Sequence, residues 1–358
     1  MTRKRICMVG AGRVGRLHTG NLVRRVGDRA EVAAICDPSV DVAQGLADDF
    51  GVGTVYPSLT EALRNDTFDA VVVTTPTFTH RDEAVRALEA GLHVHLEKPM
   101  AMNLAECRDI TAAAESAGRT VQLGFMRRFD VDFAAAAEQL AGGALGSPMI
   151  IKSLTHGPGL PPAWANDIRT SNGMLAEVSS HDLDTVCWFA GSEPVDISVR
   201  VANFKGAERG ATAPHFYDTV VATITFASGA LAVVTGVCPV DYGYDSRVEV
   251  VTTNGLLQVG GTGPGGLTTV LAGTGESRDA LYRSWRDRFA EAYATEMVEL
   301  VAAMDGAPVR VGVAEGTQAV ALVLAGTRSL LEGRTVALSE VGADDGVPTW
   351  QQEAVATA

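Results

Sequence analysis

The chain has no cysteine pair spaced for a disulfide or for a metal. Its five cysteines (Cys7, Cys36, Cys107, Cys187, Cys238) are scattered, with no CxxC among them. That usage fits reduced thiols in a cytoplasmic protein and not a disulfide framework. Long hydrophobic runs are missing as well, and nothing approaches the ~18 apolar residues of a membrane span. The basic start, Met1 to Arg5, looks like the first part of a signal peptide. The apolar run after it, Ile6 to Val9, is broken by Gly10 and is too short to complete one. Positive charge is in deficit: 29 Lys and Arg against 43 Asp and Glu give a formal net charge of −14. Such a balance argues against nucleic acid or an anionic membrane as partner. There is no GxSxG nucleophile elbow and no P-loop. The expectation is a soluble, cytoplasmic protein.

What is present is an ordinary globular composition, 46% hydrophobic and 20% charged, in 358 residues. Single cores stop growing somewhere below ~300 residues, so two domains are expected.

The first third alternates strand and helix signals. Ile6-Cys7-Met8-Val9 is a strand-type run, and Gly10-Ala11-Gly12-Arg13-Val14-Gly15 follows it directly. A lone GxGxxG is weak, but between a strand and a helix it acquires a mechanism. Gly10 makes the turn, Gly12 lets a pyrophosphate approach the backbone, and Gly15 lets helix and strand pack, with the phosphates at the helix N-terminus. Gly10, Gly12, Arg13, Val14 and Gly15 are the expected cofactor contacts. The next strand, Val32 to Cys36, ends in Asp37, roughly 20 residues further on, where an acid accepts from the ribose hydroxyls of NAD. A 2′-phosphate there would meet a like charge, and Pro38, Ser39 and Val40 supply no arginine. NAD is expected over NADP. The competing reading of Asp37 is an Asp-Pro turn.

The unit then repeats. Ala70 to Val73 is a buried strand with Thr74 to His80 as its exit loop. Thr79 and Asp82 suggest a capping box, and Gly91 closes the helix that follows. His93-Val94-His95-Leu96 is the next strand, ending in Glu97-Lys98-Pro99, and Thr120 to Phe125 is the last. Alternation of this kind means a parallel sheet covered by helices. A lysine at the carboxyl end of an inner strand stands where an open α/β sheet places its chemistry. Lys98 is therefore the leading catalytic candidate, although in isolation it would read as a surface lysine beside a turn. His93 and His95 share a strand face, which could suggest a metal. A metal needs three or four convergent ligands, no suitably spaced Cys or Glu accompanies them, and none is expected.

Gly10 to Gly15, Thr75-Pro76 with His80, Glu97-Lys98-Pro99 and Gly124-Phe-Met-Arg-Arg-Phe-Asp130 together resemble the Gfo/Idh/MocA oxidoreductase family. The Glu-Lys-Pro element and the Gly-Phe-Met-Arg-Arg stretch are most similar to its inositol 2-dehydrogenase branch. Tyr242-Gly-Tyr-Asp245, Glu249-Val-Val, Arg288 to Tyr293 and Glu296 agree with that branch. The likeness runs to about Leu338.

The resemblance implies an α/β protein. A Rossmann dinucleotide-binding domain (1–125) precedes an α/β domain with a large open, mostly antiparallel sheet for substrate and oligomerisation (126–340), then a tail (341–358). It implies a homo-oligomer, dimer or tetramer, and a cis Lys98–Pro99 bond. Cofactor contacts from Thr75, Pro76, His80, Glu97 and Lys98 follow from the same likeness. His181 becomes the proton acceptor, and Lys98, Arg127, His156, Glu177, His181 and Tyr244 become substrate contacts. Where the family carries Asp three residues before that His, this chain carries Glu177. The carboxylate survives one methylene further out, as orienter of His181 or as a substrate contact.

The residues of the second half fit a second domain on their own. Met149 to Leu154 reads as a strand, and His156 to Gly173, rich in Gly, Pro and Asn, reads as a functional loop. Glu177 and His181 are spaced i,i+4, which on one helix puts both on one face. Asp196 to Phe204, Thr219 to Thr225, Ala230 to Val237, Val248 to Thr253 and Leu256 to Gly260 read as strands, with Asn254-Gly255 marking a hairpin. Gly260 to Gly275 reads as loop. Tyr282 to Met304 and Gly316 to Leu331 read as helices.

The function expected is NAD-dependent oxidation of a secondary alcohol on a cyclic polyol of the myo-inositol, inosamine or sugar class. Two other classes share the fold, an NAD-using glycosidase with no net redox change and a non-catalytic nucleotide-sensing regulator. Retention of Lys98 and His181 argues against the regulator.

Overall fold

The computed structural model describes residues 3–166, 168–205, 217–260 and 282–342. Two compact units emerge: Met1–Phe129 with Glu291–Thr317, and Asp130–Ala290 with Gln318–Ala358.

The first unit runs β1 (Lys4–Val9), α1 (Arg13–Arg25), β2 (Ala30–Cys36), α2 (Val40–Phe50), β3 (Val55–Tyr56), α3 (Leu59–Asn65), β4 (Ala70–Val73), α4 (His80–Glu89), β5 (His93–Leu96), α5 (Leu104–Ala117) and β6 (Val121–Leu123). The strands form one sheet in the order β3-β2-β1-β4-β5-β6, and every pairing is parallel. Parallel strands are covered on both faces, and all of β4, Ala70 to Val73, is accordingly buried. The strand order reverses between β1 and β4, the point at which open α/β sheets bind ligands.

Local caps explain several helix starts. Ser58 Oγ accepts from the Glu61 amide ahead of α3, and Asn103 Oδ1 accepts from the Glu106 amide ahead of α5. The capping box expected at Thr79 does not form. Its hydroxyl donates instead to the Pro76 carbonyl and is hydrogen-bonded to the Thr75 hydroxyl, tying down the β4 exit loop.

The second unit contains α6 (Val131–Ala141), β7 (Pro148–His156), α7 (Ile168–Ser171), α8 (Gly173–Glu177), α9 (Ser180–Ala190), β8 (Pro194–Ala202), β9 (Thr219–Phe226), β10 (Leu231–Val237), β11 (Asp245–Thr252), β12 (Gly255–Val259) and α10 (Trp285–Arg288). After α11 (Ala290–Met304) come α12 (Val313–Glu332) and β13 (Val336–Ala337). The second sheet has the order β12-β11-β7-β10-β9-β8-β13. Its pairings are antiparallel except β7 with β10. Asn254-Gly255 makes the expected hairpin, with Thr252 opposite Gly255.

The domain limits differ from those read in the sequence, where everything from 126 to 340 was one domain. Residues of α11 belong to the first unit. Met297, Leu300, Val301 and Met304 recur at helical spacing and join the same buried cluster as Ile6, Met8, Leu22, Ile35 and Val72. Periodicity shows that such a helix has an apolar face but not which sheet receives it. The loop reading of Gly260 to Gly275 falls, beyond Gly260 itself, outside the described residues, as does the tail from 343. No helix among the described residues is long and apolar enough to cross a membrane.

Candidate active site

At the carboxyl end of the first sheet the glycines have separate physical reasons. Gly10 adopts φ +98°, and a Cβ there would lie 2.9 Å from Thr74 atoms. A Cβ on Gly15 would lie 2.0 Å from the Gly10 carbonyl oxygen, so α1 can follow β1 this closely only with glycine. Gly12 meets nothing within 4 Å and is open to solvent. It starts α1, whose first turn holds no acidic residue and no side-chain cap. Those first backbone N–H groups and the helix dipole form a site for an anion. Arg13 is exposed and Val14 half-buried beside them. Asp37 stands at the end of β2, its carboxylate accepting from the Ala11 amide (2.9 Å) and the Ser39 amide (2.9 Å). A dinucleotide fits this end: an open glycine at an unblocked helix start, with a carboxylate at the neighbouring strand end.

The β4 and β5 exits lie alongside. Thr75 and Pro76 are half-buried in the loop that starts a 3-10 turn at Thr77–Thr79. Two residues expected to touch the cofactor are turned inward. His80 is buried, with Nδ1 2.8 Å from the Pro99 carbonyl and Nε2 2.9 Å from the Thr75 carbonyl. Its ring lies between the two exit loops, with each nitrogen facing a backbone carbonyl and neither open to a ligand. Burial lowers its proton affinity, partly countered by those carbonyls. Glu97 is buried too, with Oε1 2.8 Å from His18 Nε2 and Oε2 accepting from the Lys98 amide at 3.3 Å. Both positions hold the loops that carry the site. Lys98 is half-buried, and its bond to Pro99 is cis, as the resemblance implied. Arg127 lies in a 3-10 turn, Met126–Phe129, and is almost wholly buried.

In the second unit, Glu177 and His181 do not share one helix. Glu177 ends α8 and His181 is the second residue of α9, with the break at Val178 and Ser179. The i,i+4 argument fails because the chain turns at Ser179, which β10 approaches through Gly236. A Cβ on that glycine would lie 2.5 Å from Ser179 Oγ. His181 is buried and Glu177 half-buried. His156 ends β7 opposite Asp245 of β11. Its Nδ1 is 2.5 Å from the Tyr242 hydroxyl. Burial lowers the His156 proton affinity, against the charges of Asp245 and Asp182. Tyr244, expected at the substrate, is buried, and its amide donates to the Tyr282 carbonyl at 2.7 Å.

Sequence reasoning did not place Tyr242 or Asp182 among the site residues. Asp182 follows His181 directly and is fully buried, accepting from Ser153 Oγ (2.6 Å) and Thr155 Oγ1 (2.7 Å) of β7. The alternation of hydroxyls at 153 and 155 was the available signal, since both face the same side of a strand.

Comparison with known proteins agrees with this geometry. A profile described as an oxidoreductase family with an NAD-binding Rossmann fold matches residues 4–125, and a GFO/IDH/MocA C-terminal domain profile matches residues 133–258. The scyllo-inositol 2-dehydrogenase (NAD(+)) of Bacillus subtilis (strain 168) is 32% identical over 82% of this chain and 84% of its own length. The myo-inositol 2-dehydrogenase of Thermotoga maritima is 30% identical over 94% of this chain and 99% of its own. The crystal structure of a probable dehydrogenase from Thermotoga maritima superposes with a TM-score of 0.82 at 29% identity, covering 94% of this chain and 100% of that one. The chain belongs to the Gfo/Idh/MocA family of NAD-binding oxidoreductases.

Proposed function

We propose that the protein transfers a hydride between NAD and a secondary alcohol of a cyclic polyol, of the myo-inositol, inosamine or sugar class. The observation that carries this is Lys98, half-buried at the carboxyl end of β5 beside the dinucleotide end of the sheet. It stands in a chain 30–32% identical to proteins named inositol 2-dehydrogenases. When bound, NAD supplies the hydride acceptor. His181 takes the hydroxyl proton as general base. Lys98 donates a hydrogen bond to the same oxygen and stabilises the charge developing on it. Glu177 orients the imidazole or binds a neighbouring hydroxyl, and Arg127, His156 and Tyr244 belong to the polyol-binding set. Asp37 selects NAD over NADP, because a 2′-phosphate beside that carboxylate is repelled.

The same reading includes a homo-oligomer, dimer or tetramer. Ile150, Val221, Leu231 and Leu256, which the register places on one face of the second sheet, are exposed, and exposed apolar clusters of this kind mark interfaces.

The test is a spectrophotometric screen of inositols, inosamines, aldoses and glycosides with NAD and with NADP, repeated with Lys98→Ala and His181→Ala. Each substitution should lower turnover by roughly 10²–10⁴-fold while NAD affinity is nearly kept. Release of a leaving group from a glycoside without accumulating NADH would turn the assignment to an NAD-using glycosidase.

A further inference from the structure

Beneath the end of β5, four titratable side chains from distant parts of the chain converge. His18 comes from α1, His95 from β5, Glu97 from its exit and Glu296 from α11. One ligand-type atom from each lies within 4.8 Å of the others. All four are buried, His18, His95 and Glu296 completely. His18 Nε2 meets Glu97 Oε1 at 2.8 Å. His18 Nδ1, His95 Nε2 and both Glu296 oxygens are buried with no hydrogen-bond partner. The ring of His18 is flanked edge-on by His95 (5.1 Å between centroids) and by Tyr293 of α11 (5.7 Å).

Two imidazoles and two carboxylates could hold a divalent cation, but the tautomer of His95 opposes one. Gln122 Nε2 donates to the Glu296 backbone carbonyl at 2.9 Å, which fixes which end of the amide is NH2. The same NH2 lies 3.1 Å from His95 Nδ1. Nδ1 is therefore the acceptor, and neutral His95 carries its proton on Nε2, the atom a metal would need bare. A carboxyl stripped of water, beside a second carboxylate already paired with His18, keeps a proton more cheaply than a charge.

We propose that Glu296 is held as a neutral carboxylic acid, and that its proton and the Nε2–H of His95 complete a buried acid–imidazole set with His18 and Glu97. This set fixes the Glu97 carboxylate under the Lys98 backbone. Glu97 and Glu296 are positioning residues for Lys98. Glu97 acts by accepting from the Lys98 amide, and Gly124 makes room for it, since a Cβ there would lie 2.9 Å from the Glu97 carboxyl group. The electrostatics of every facing group agree. Burial, with the charges of Glu97 and Glu299, pushes Glu296 well above the ordinary carboxylate range. Burial, with the charge of His18, takes His95 down to about 3. Burial pushes Glu97 up, but the hydrogen bond and charge of His18, with His95 and Lys98, bring it below the usual range.

The link to Lys98 rests on the proposed function, so two measurements need no substrate. In the full chain, Glu296→Gln mimics the neutral acid in shape and charge. The infrared difference spectrum between wild type and E296Q should contain the carbonyl stretch of a protonated carboxylic acid at neutral pH. Native Glu296 binds a proton that the unfolded chain releases above the ordinary carboxylate value. Wild-type stability should therefore fall as pH rises from there toward the raised native value, and E296Q should remove that slope. With a substrate in hand, Glu296→Ala should lower kcat by roughly 10²-fold through misplacement of Lys98, with KM for NAD little changed, and E296Q should recover most of it. Absence of the carboxylic acid band, an E296Q variant as impaired as E296A, or one equivalent of metal that co-purifies and is lost in E296Q would each overturn the proposal. If no alcohol is oxidised at all, the proposed function fails, while the infrared and pH measurements still decide the buried set.

Discussion

The Asp182 carboxylate accepts a hydrogen bond from Ser153 Oγ at 2.6 Å, joining the first turn of α9 to β7. Thr155 Oγ1 donates to the other carboxylate oxygen at 2.7 Å. His181 is the preceding residue, so this anchor sets where its backbone begins. Asp182→Ala removes the carboxylate acceptor of two buried hydroxyls, at ~1.5–3 kcal/mol for each lost hydrogen bond to a charged group. Urea unfolding should show that loss, and kcat should fall with it as His181 shifts. Wild-type stability and turnover in D182A would remove Asp182 from this role.

The second and third glycines of the dinucleotide loop, Gly12 and Gly15, should separate binding from folding. Gly15→Ala puts a methyl group 2.0 Å from the Gly10 carbonyl oxygen. Overpacking of this kind costs roughly 1–3 kcal/mol, so Tm should drop and NAD binding with it. Gly12→Ala meets open space, so Tm should hold, while in the proposed binding mode, with the pyrophosphate passing Gly12, NAD affinity weakens. Calorimetric titration of NAD into both variants, beside their thermal melts, checks the contrast.

His95 should appear in the acid limb of the stability curve. Burial takes its imidazole from 6.5 to about 3. Between those values the unfolded chain binds a proton that the native state refuses. The contribution is thus absent above about 6.5 and destabilises progressively as pH falls toward about 3. His95→Phe should flatten that limb in urea titrations across the range. An unchanged slope would place the acid sensitivity elsewhere.

Tyr242 holds the imidazole of His156 in place. Its phenol is pushed up to about 12 by burial and by Asp245, so it stays protonated, and its hydroxyl is hydrogen-bonded to His156 Nδ1 at 2.5 Å. Tyr242→Phe should cost about 1 kcal/mol of stability and raise the polyol KM several-fold with a smaller effect on kcat. Steady-state kinetics against the polyol identified in the screen would show an equal fall in kcat if Tyr242 served the chemistry instead.

The sequence alone determined the parallel sheet of the first unit, the glycine loop with Asp37, the Asn254-Gly255 hairpin and the place of Lys98 at a strand end. Each depends on neighbours within a few residues: a period of two or 3.6, a turn residue, a glycine beside a strand. Only the tertiary structure decided that α11 packs its Met297–Met304 face on the first sheet, or that the chain breaks between Glu177 and His181. It likewise turned His80 and Glu97 inward and brought His18, His95, Glu97 and Glu296 together. An acid on a helix reads the same in sequence whether water or another carboxylate faces it. Which of the two it meets depends on desolvation by residues hundreds of positions away.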